Sequence, residues 1–261
     1  MIIPIYNGGK YLNYSLSSIL NQKMKDIEII LVDDNSKDDS IEIISRYKDK
    51  DRRIILIENK ENRKILFSKS IGALKSRGKY IIELDQDDMF INNYAFDLLY
   101  SETEINNDNI TRFEVIFGKK FHRPNLNNLK KTKIYKQPKL RFFMFKINKG
   151  LLWGNIIRAD LYKKVIYNLW PFIINYQIIF QEDYLITFFL LIHTQKFEQI
   201  DEKLLFHFYH KKSASSGHKT KSEYYLSVIF VGIIYYDYYF ILFPQDLQII
   251  LLFLIIILEK Y

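Results

Sequence analysis

No cysteine occurs among the 261 residues. Disulfides, thiolate metal sites and a cysteine nucleophile are thereby excluded, and a reducing compartment fits this composition. Nor is there an apolar run long enough to span a bilayer. Ile249 to Leu258 is wholly apolar but ten residues long, against the about 20 that a spanning helix needs. Going backwards, the run meets Gln248, Asp246, Gln245 and Pro244, so a buried or interfacial helix is expected there in place of a span. Met1 leads straight into Ile2-Ile3-Pro4-Ile5, with no basic stretch and no small-residue cleavage site, and no secretory leader is read. No internal repeat stands out. Acidic residues are missing from one stretch: from Lys119 to Lys149 there are eleven Lys and Arg and no Asp or Glu.

The composition is that of a globular chain, 48% hydrophobic and 26% charged, long enough for one large α/β domain or two small ones. The net charge of +8 favours acidic partners: nucleic acid, phosphorylated ligands or an anionic membrane. The basic stretch has few interleaved aromatics before Phe142-Phe143 and no recognised motif, so nucleic acid is not expected. Acidic lipid or lipid-diphosphate acceptors, with peripheral membrane contact, explain the same charge with fewer assumptions.

Along the chain, short apolar runs alternate with helical periodicity. Met1 to Ile5 is a strand-like run that stops at the turn chemistry of Tyr6-Asn7-Gly8-Gly9. Leu12, Leu16, Ile19 and Leu20 then form a helical face. Ile27 to Val32 reads as a doubly buried strand ending at Asp33-Asp34-Asn35-Ser36. Ser36 with Asp39 resembles a capping box for a helix through Ile41, Ile44 and Tyr47. Ile54 to Ile57 is a third strand, and Ser68 to Arg77 a helix with Gly78 as its C-cap. Tyr80 to Leu84 is a fourth strand, ending at Asp85-Gln86-Asp87-Asp88 before a helix from about Asn93. This order implies a mostly parallel, doubly wound α/β sheet. In such sheets ligands bind beyond the carboxyl ends of the strands, and three polar clusters fall at that edge: Tyr6-Asn7, Asp33-Asp34 and Asp85 to Asp88.

Adjacent carboxylates repel unless a cation intervenes. Asp87-Asp88 after an apolar strand therefore suggests Mg²⁺ or Mn²⁺, which takes one or two protein carboxylates and completes its shell with substrate phosphates. The alternative is a solvated acidic turn that caps the next helix. Asp33 and Asp34 could accept from a base N–H or a ribose hydroxyl, or cap a helix. Tyr6 could stack on a nucleobase, or be a partly buried core tyrosine.

Four segments in order resemble glycosyltransferase family 2, which has a GT-A type fold: Ile2-Ile3-Pro4-Ile5-Tyr6-Asn7, Ser17 to Gln22, Ile29 to Ser36, and Gly78 to Ile81 with Leu84 to Asp88. The resemblance is dense over residues 1 to about 100. It implies an inverting, metal-dependent transfer of a sugar from a nucleotide-diphospho-sugar, a UDP-sugar by preference, to a hydroxyl acceptor. It also implies a catalytic domain over 1–217, with a nucleotide-binding half (1–100) and an acceptor-binding half (101–217), followed by an apolar helical extension over 218–261. By that resemblance Pro4, Tyr6, Asp33, Asp34, Lys69 and Asp87 face the nucleotide-sugar, and Asp87, Asp88 and His210 the Mn²⁺ or Mg²⁺. Asp85 shapes the loop. Lys69 stands in Ser68-Lys69-Ser70, where the family often carries Ala-Arg-Asn.

In the second half, Gln181-Glu182-Asp183-Tyr184 precedes the apolar stretch Leu185 to Ile192. One reading is an acidic helix N-terminus, favoured by the macrodipole. The other is a general base, since an inverting transfer needs a carboxylate near the acceptor hydroxyl. The pair is similar to the family's Glu-Asp motif, which makes Asp183 the base and leaves Glu182 with the acceptor. Trp153 falls where the family forms its acceptor pocket. His207, His210 and Ser213-Ala214-Ser215 follow the strand-like Leu204 to Phe208, with Lys211 and Lys212 as phosphate contacts. A cytoplasmic location, or one at the cytoplasmic face of a membrane, fits these readings. A different class stays open as well: an inactive relative that binds nucleotide-sugar or membrane and serves as an interaction module.

Overall fold

The computed structural model describes residues 1–107, 109–118, 133–136, 154–175, 182–194 and 196–208. The first half alternates strands and helices: β1 (Ile2–Ile5), α1 (Gly9–Leu20), β2 (Ile29–Asp33), α2 (Ser40–Lys48), β3 (Ile54–Glu58), α3 (Lys64–Lys75) and β4 (Tyr80–Ile82). β1, β2 and β3 pair in parallel, in that order. A parallel bridge from Ile2 to Glu83, with the Leu84 amide donating to the Ile2 carbonyl at 3.0 Å, sets β4 against the other side of β1. The parallel α/β half expected from the sequence is therefore present.

Beyond β4 the sheet becomes mixed. β5 (Met89–Phe90), α4 (Ala95–Asn106), β6 (Ile110–Gly118), β7 (Lys133–Lys136), β8 (Asn155–Arg158), α5 (Ala159–Asn175), α6 (Glu182–His193) and β9 (Lys196–Phe208) follow. The strand order is β4-β8-β6-β9-β5, and β7 also pairs with β9. β8 runs antiparallel to both its neighbours, whereas β6 and β9 are parallel. The long β9 carries β7 near its start and β5 near its end.

Side chains on a strand alternate between faces, and two apolar layers follow from this. Ile2 and Ile81 face a cluster with Leu66 and Ala73 of α3, Tyr162 and Val165 of α5, and Leu185 and Phe189 of α6. Ile3, Ile5, Ile82 and Leu84 face the other layer, with Leu12, Leu16 and Ile19 of α1, Ile43 and Ile44 of α2, and Phe96 and Leu99 of α4. Each such side chain, fully buried, contributes about 1.5–3 kcal/mol. Glu83 lies two residues after Ile81 and so shares the α3, α5 and α6 side of the sheet.

Gly72 lets α3 approach β1. A Cβ there would stand 2.6 Å from Ile2 Cγ2 and 3.3 Å from Val32 Cγ2, and both side chains are fully buried. Gly72→Val is expected to destabilise the protein by about 1–3 kcal/mol through overpacking, seen as a lower denaturation midpoint in urea. An unchanged midpoint would show that α3 can move away from the sheet.

Three local expectations change. Ser36 does not form a capping box. Its hydroxyl accepts the Asn7 amide at 3.0 Å, and α2 starts at Ser40 after an Asp39 that makes no side-chain cap bond. α3 starts at Lys64, a turn before Ser68, and ends at an extended Ser76, so Gly78 is not its C-cap. β9 starts at Lys196, well before Leu204. The boundary at 217, the extension over 218–261 and most of the basic stretch lie outside the described residues. Among the described residues no helix is long and apolar enough to cross a membrane.

Candidate functional site

The turn after β1 is tied to the turn after β2. The Asn7 amide donates to Ser36 Oγ at 3.0 Å, the Gly8 amide to Ser40 Oγ at 2.9 Å and the Gly9 amide to Asp38 Oδ2 at 3.0 Å. In return the Lys37 amide donates to Asn7 Oδ1 at 2.8 Å. Asn7 and Asn35 take the left-handed conformation, at φ 51° and 63°, which Asn tolerates better than most residues. Tyr6, 47% exposed, stands at the rim of this double turn.

Asp34 is buried, and its carboxylate organises the β3–α3 connection. Oδ1 accepts from Asn59 Nδ2 and the Arg63 amide, and Oδ2 from the Lys64 amide, each at 2.8 Å. A carboxylate offers about four lone-pair sites, so these three bonds nearly fill it. Asp33 differs. Its Oδ2 accepts the Ser36 amide at 3.0 Å, while Oδ1 is buried with no hydrogen-bond partner among the described residues. Pro4, expected at the nucleotide-sugar, is buried inside β1 opposite Val32.

The acidic turn is joined to the first site element by one side chain. Gln86 Oε1 accepts the Tyr6 amide at 2.9 Å, and Gln86 Nε2 donates to the Tyr6 carbonyl at 3.2 Å. Within the turn the Asp88 amide donates to the Asp85 carbonyl at 3.0 Å. Asp88 itself is fully buried. His207 Nδ1 lies 2.8 and 3.1 Å from its two oxygens, and the Phe208 amide donates to Oδ1 at 3.3 Å. Burial pushes the Asp88 carboxyl up to about 7, against the pull of His207. Burial would lower the His207 imidazole, but Asp88 beside it raises it overall. Asp88 thus fastens the acidic turn to the end of β9. Asp85 and Asp87 are the partly exposed carboxylates of the turn.

Behind the turn lies a buried ionic cluster. Lys69 of α3 is 1% exposed, and its Nζ donates to Asp183 Oδ1 at 2.7 Å. Glu83 Oε2 lies 3.5 Å from the same nitrogen and Glu182 Oε1 3.8 Å. The Tyr162 hydroxyl of α5 donates to Glu83 Oε1. Burial opposes the Lys69 charge, yet Asp183, Glu83, Asp85 and Glu182 around it raise its pKa well above the usual lysine range. Glu83, two residues before Asp85, meets the first turn of α6 through Lys69. Lys69, expected to face the diphosphate, is instead sequestered by these carboxylates.

Burial pushes the Glu83 carboxyl from 4.5 to about 7, with Lys69 and Tyr162 holding it back. Burial and then Asp183 push Glu182 to about 7 as well. A carboxyl raised on folding stabilises the fold while it is protonated. That contribution is complete below about pH 4.5 and is lost as the pH rises through about 7. The thermal midpoint should therefore fall between pH 5 and 7, and Glu83→Gln should flatten that fall, leaving the part due to Glu182 and Asp88. An equal slope in the variant would show that Glu83 titrates in the ordinary range.

Residues remote in sequence thus meet along one edge: Tyr6, Asp33 and Asp34, the turn 85–88, Lys69, Glu182 and Asp183. Trp153, His210, Lys211, Lys212 and Ser213 to Ser215 lie outside the described residues. Glu83, Tyr162 and Gln86 were not expected at the site. For Glu83 a signal existed, since a carboxylate interrupts an otherwise apolar strand. Gln86 and Tyr162 gave none, because their partners are backbone atoms or residues 79 positions away.

The fold has known counterparts. The solved structure of S. aureus TarS in complex with UDP-GlcNAc superposes with a TM-score of 0.71 at 16% identity, covering 90% of this chain and 66% of that one. It has the GT-A fold. An uncharacterized glycosyltransferase of Methanocaldococcus jannaschii is 31% identical over 209 residues, 78% of this chain and 68% of its own. One of Haemophilus influenzae is 44% identical over 93 residues, and there the chain spans 37% of the relative's length. The poly(ribitol-phosphate) beta-glucosyltransferase of Bacillus spizizenii is 35% identical over 114 residues, 18% of its length. The family model for glycosyl transferase family 2 matches residues 1–185, a span that holds the tied turns, the acidic turn and the Lys69–Asp183 pair together, and the chain belongs to that family.

Proposed function

We propose that the protein transfers a sugar from a UDP-sugar to a hydroxyl acceptor, with inversion at the sugar carbon. The observation that carries this reading is Asp183 at the start of α6, held at 2.7 Å by a buried lysine beside the acidic turn. In the step, the acceptor oxygen attacks C1 of the sugar from the face opposite the diphosphate. The C1–O bond breaks, its electron pair leaves with the nucleoside diphosphate, and Asp183 takes the acceptor's proton. The tied turns would hold the nucleoside: Tyr6 offers a ring face, and the buried, unpartnered Asp33 Oδ1 offers an acceptor to a base N–H or a ribose hydroxyl. The choice of a UDP-sugar draws support from TarS, described with UDP and with UDP-GlcNAc.

Among the described residues no group of three or more His, Asp or Glu could hold a cation alone. A cation completed by substrate phosphates needs only one or two carboxylates, and the partly exposed Asp87 fits that need better than Asp88, whose oxygens are engaged by His207 and Phe208. When bound there, a divalent cation supplies positive charge for the departing diphosphate.

The reading is tested by UDP release from UDP-GlcNAc and UDP-glucose, with Mn²⁺, Mg²⁺ or EDTA. Release is expected from one of the two donors. EDTA or Asp87→Ala should lower it by about 10²-fold or more, as for loss of a group that stabilises developing charge. Full turnover in EDTA would remove the cation from the reading. No turnover of either donor, with nucleotide still bound, would favour the inactive module.

A further inference from the structure

Lys69 serves three carboxylates at once, of which Asp183 and Glu83 lie nearest. Its ammonium donates to Asp183 Oδ1 at 2.7 Å, and Glu83 Oε2 faces it at 3.5 Å, an ion pair beyond ordinary hydrogen-bond contact. Among the described residues that buried Glu83 oxygen has no hydrogen-bond partner, while its other oxygen is held by the Tyr162 hydroxyl. Lys69, Glu83 and Tyr162 are each at most 1% exposed, so water cannot substitute for any of these contacts. They come from α3, the strand end after Ile82, and α5, three packed elements that cannot shift independently.

We propose that Glu83 and Tyr162 are positioning residues for the transfer: Tyr162 anchors Glu83, and Glu83 competes with Asp183 for the Lys69 ammonium, which fixes the Asp183 carboxylate in place and keeps it ready to accept a proton. The physical basis is the sharing of one charge. If Glu83 is neutralised, Lys69 keeps only Asp183 at 2.7 Å and Glu182 at 3.8 Å, and the tighter ion pair with Asp183 makes that carboxylate a poorer base. If Tyr162 loses its hydroxyl, Glu83 loses its anchor and the spacing between ammonium and Asp183 is no longer held. The charged and titratable groups facing this lysine are Glu83 and Asp85 from the strand end, Glu182 and Asp183 from α6, and Tyr162 reaches Glu83 from α5.

The proposal rests on Asp183 being the proton acceptor, and the test separates the two. Initial rates of UDP release are compared for wild type, Glu83→Gln, Tyr162→Phe and Asp183→Asn, using UDP-GlcNAc and UDP-glucose. Glu83→Gln is expected to lower kcat by about 10-fold and Tyr162→Phe by several-fold, with the donor KM within about twofold of wild type. The wild-type rise of kcat between pH 6 and 8 should flatten in Glu83→Gln, whose amide cannot ionise. A merely structural role would change thermal stability and leave kcat and its pH profile alone, and that result would overturn the proposal.

A second measurement needs no turnover. In protein carrying ¹³C at its carboxyl groups and Gln in place of Glu182, the Asp183 resonance should show an additional inflection near neutral pH that disappears when Glu83→Gln is added. Its absence before that change would also overturn the proposal. An active Asp183→Asn would instead defeat the assignment of the base, whatever the resonance shows.

Discussion

Asp183→Asn is expected to lower UDP release by about 10²- to 10⁴-fold, the usual contribution of a positioned general base. The asparagine keeps the shape and can still accept the Lys69 hydrogen bond through its Oδ1, so the fold should survive. What it loses is the capacity to take a proton. Donor affinity should stay near that of wild type, because Asp183 lies in the first turn of α6, away from the tied turns proposed to hold the nucleoside. The check is a comparison of kcat with UDP affinity measured by calorimetry. A tenfold loss of affinity with kcat retained would move Asp183 from base to donor ligand.

Lys69→Met should carry the largest cost in stability. Three carboxylates, Asp183, Glu83 and Glu182, lie within 4 Å of this cation. Removing it leaves buried negative charge uncompensated, which costs about 3–5 kcal/mol. Two routes remain open to the variant, protonating carboxyls or admitting water, and both make the loss grow as the pH rises. Combining Lys69→Met with Glu83→Gln should recover part of the loss, since the amide needs no cation. Denaturant unfolding at pH 6 and pH 8 reads both effects. A loss below about 1 kcal/mol would show that the cluster is wetter than its burial implies.

Much of the parallel half was legible from residue order. Ile29 to Val32 and Ile2 to Ile5 are doubly buried strands whose apolar runs leave little alternative, and the polar clusters at their ends mark the carboxyl edge. The mixed half was not legible in the same way. Pairing of β8 between β4 and β6 joins residues 43 to 78 positions apart, and no local pattern encodes register at that distance. Within the site, types of residue were readable but partners were not. Lys69 reads as a diphosphate ligand until its carboxylate neighbours are known. Asp88 reads as a metal ligand until His207, 119 positions later, is found on it. Lys64 shows the same limit at the backbone: it stands at φ 71°, left-handed geometry that a lysine does not advertise, because its amide is drawn to Asp34.

The bridge from Ile2 to Glu83 gives the cleft a fixed floor. Asp33 ends one strand and Asp85 follows another, and both strands are laced to β1. Widening the gap between these aspartates would mean tearing hydrogen bonds out of the middle of a sheet. Any closing on a bound molecule is therefore expected to come from the turns and helix starts above, where Tyr6, Gln86 and the beginning of α6 stand, while the spacing between Asp33 and Asp85, the proposed nucleoside and diphosphate ends, should stay constant.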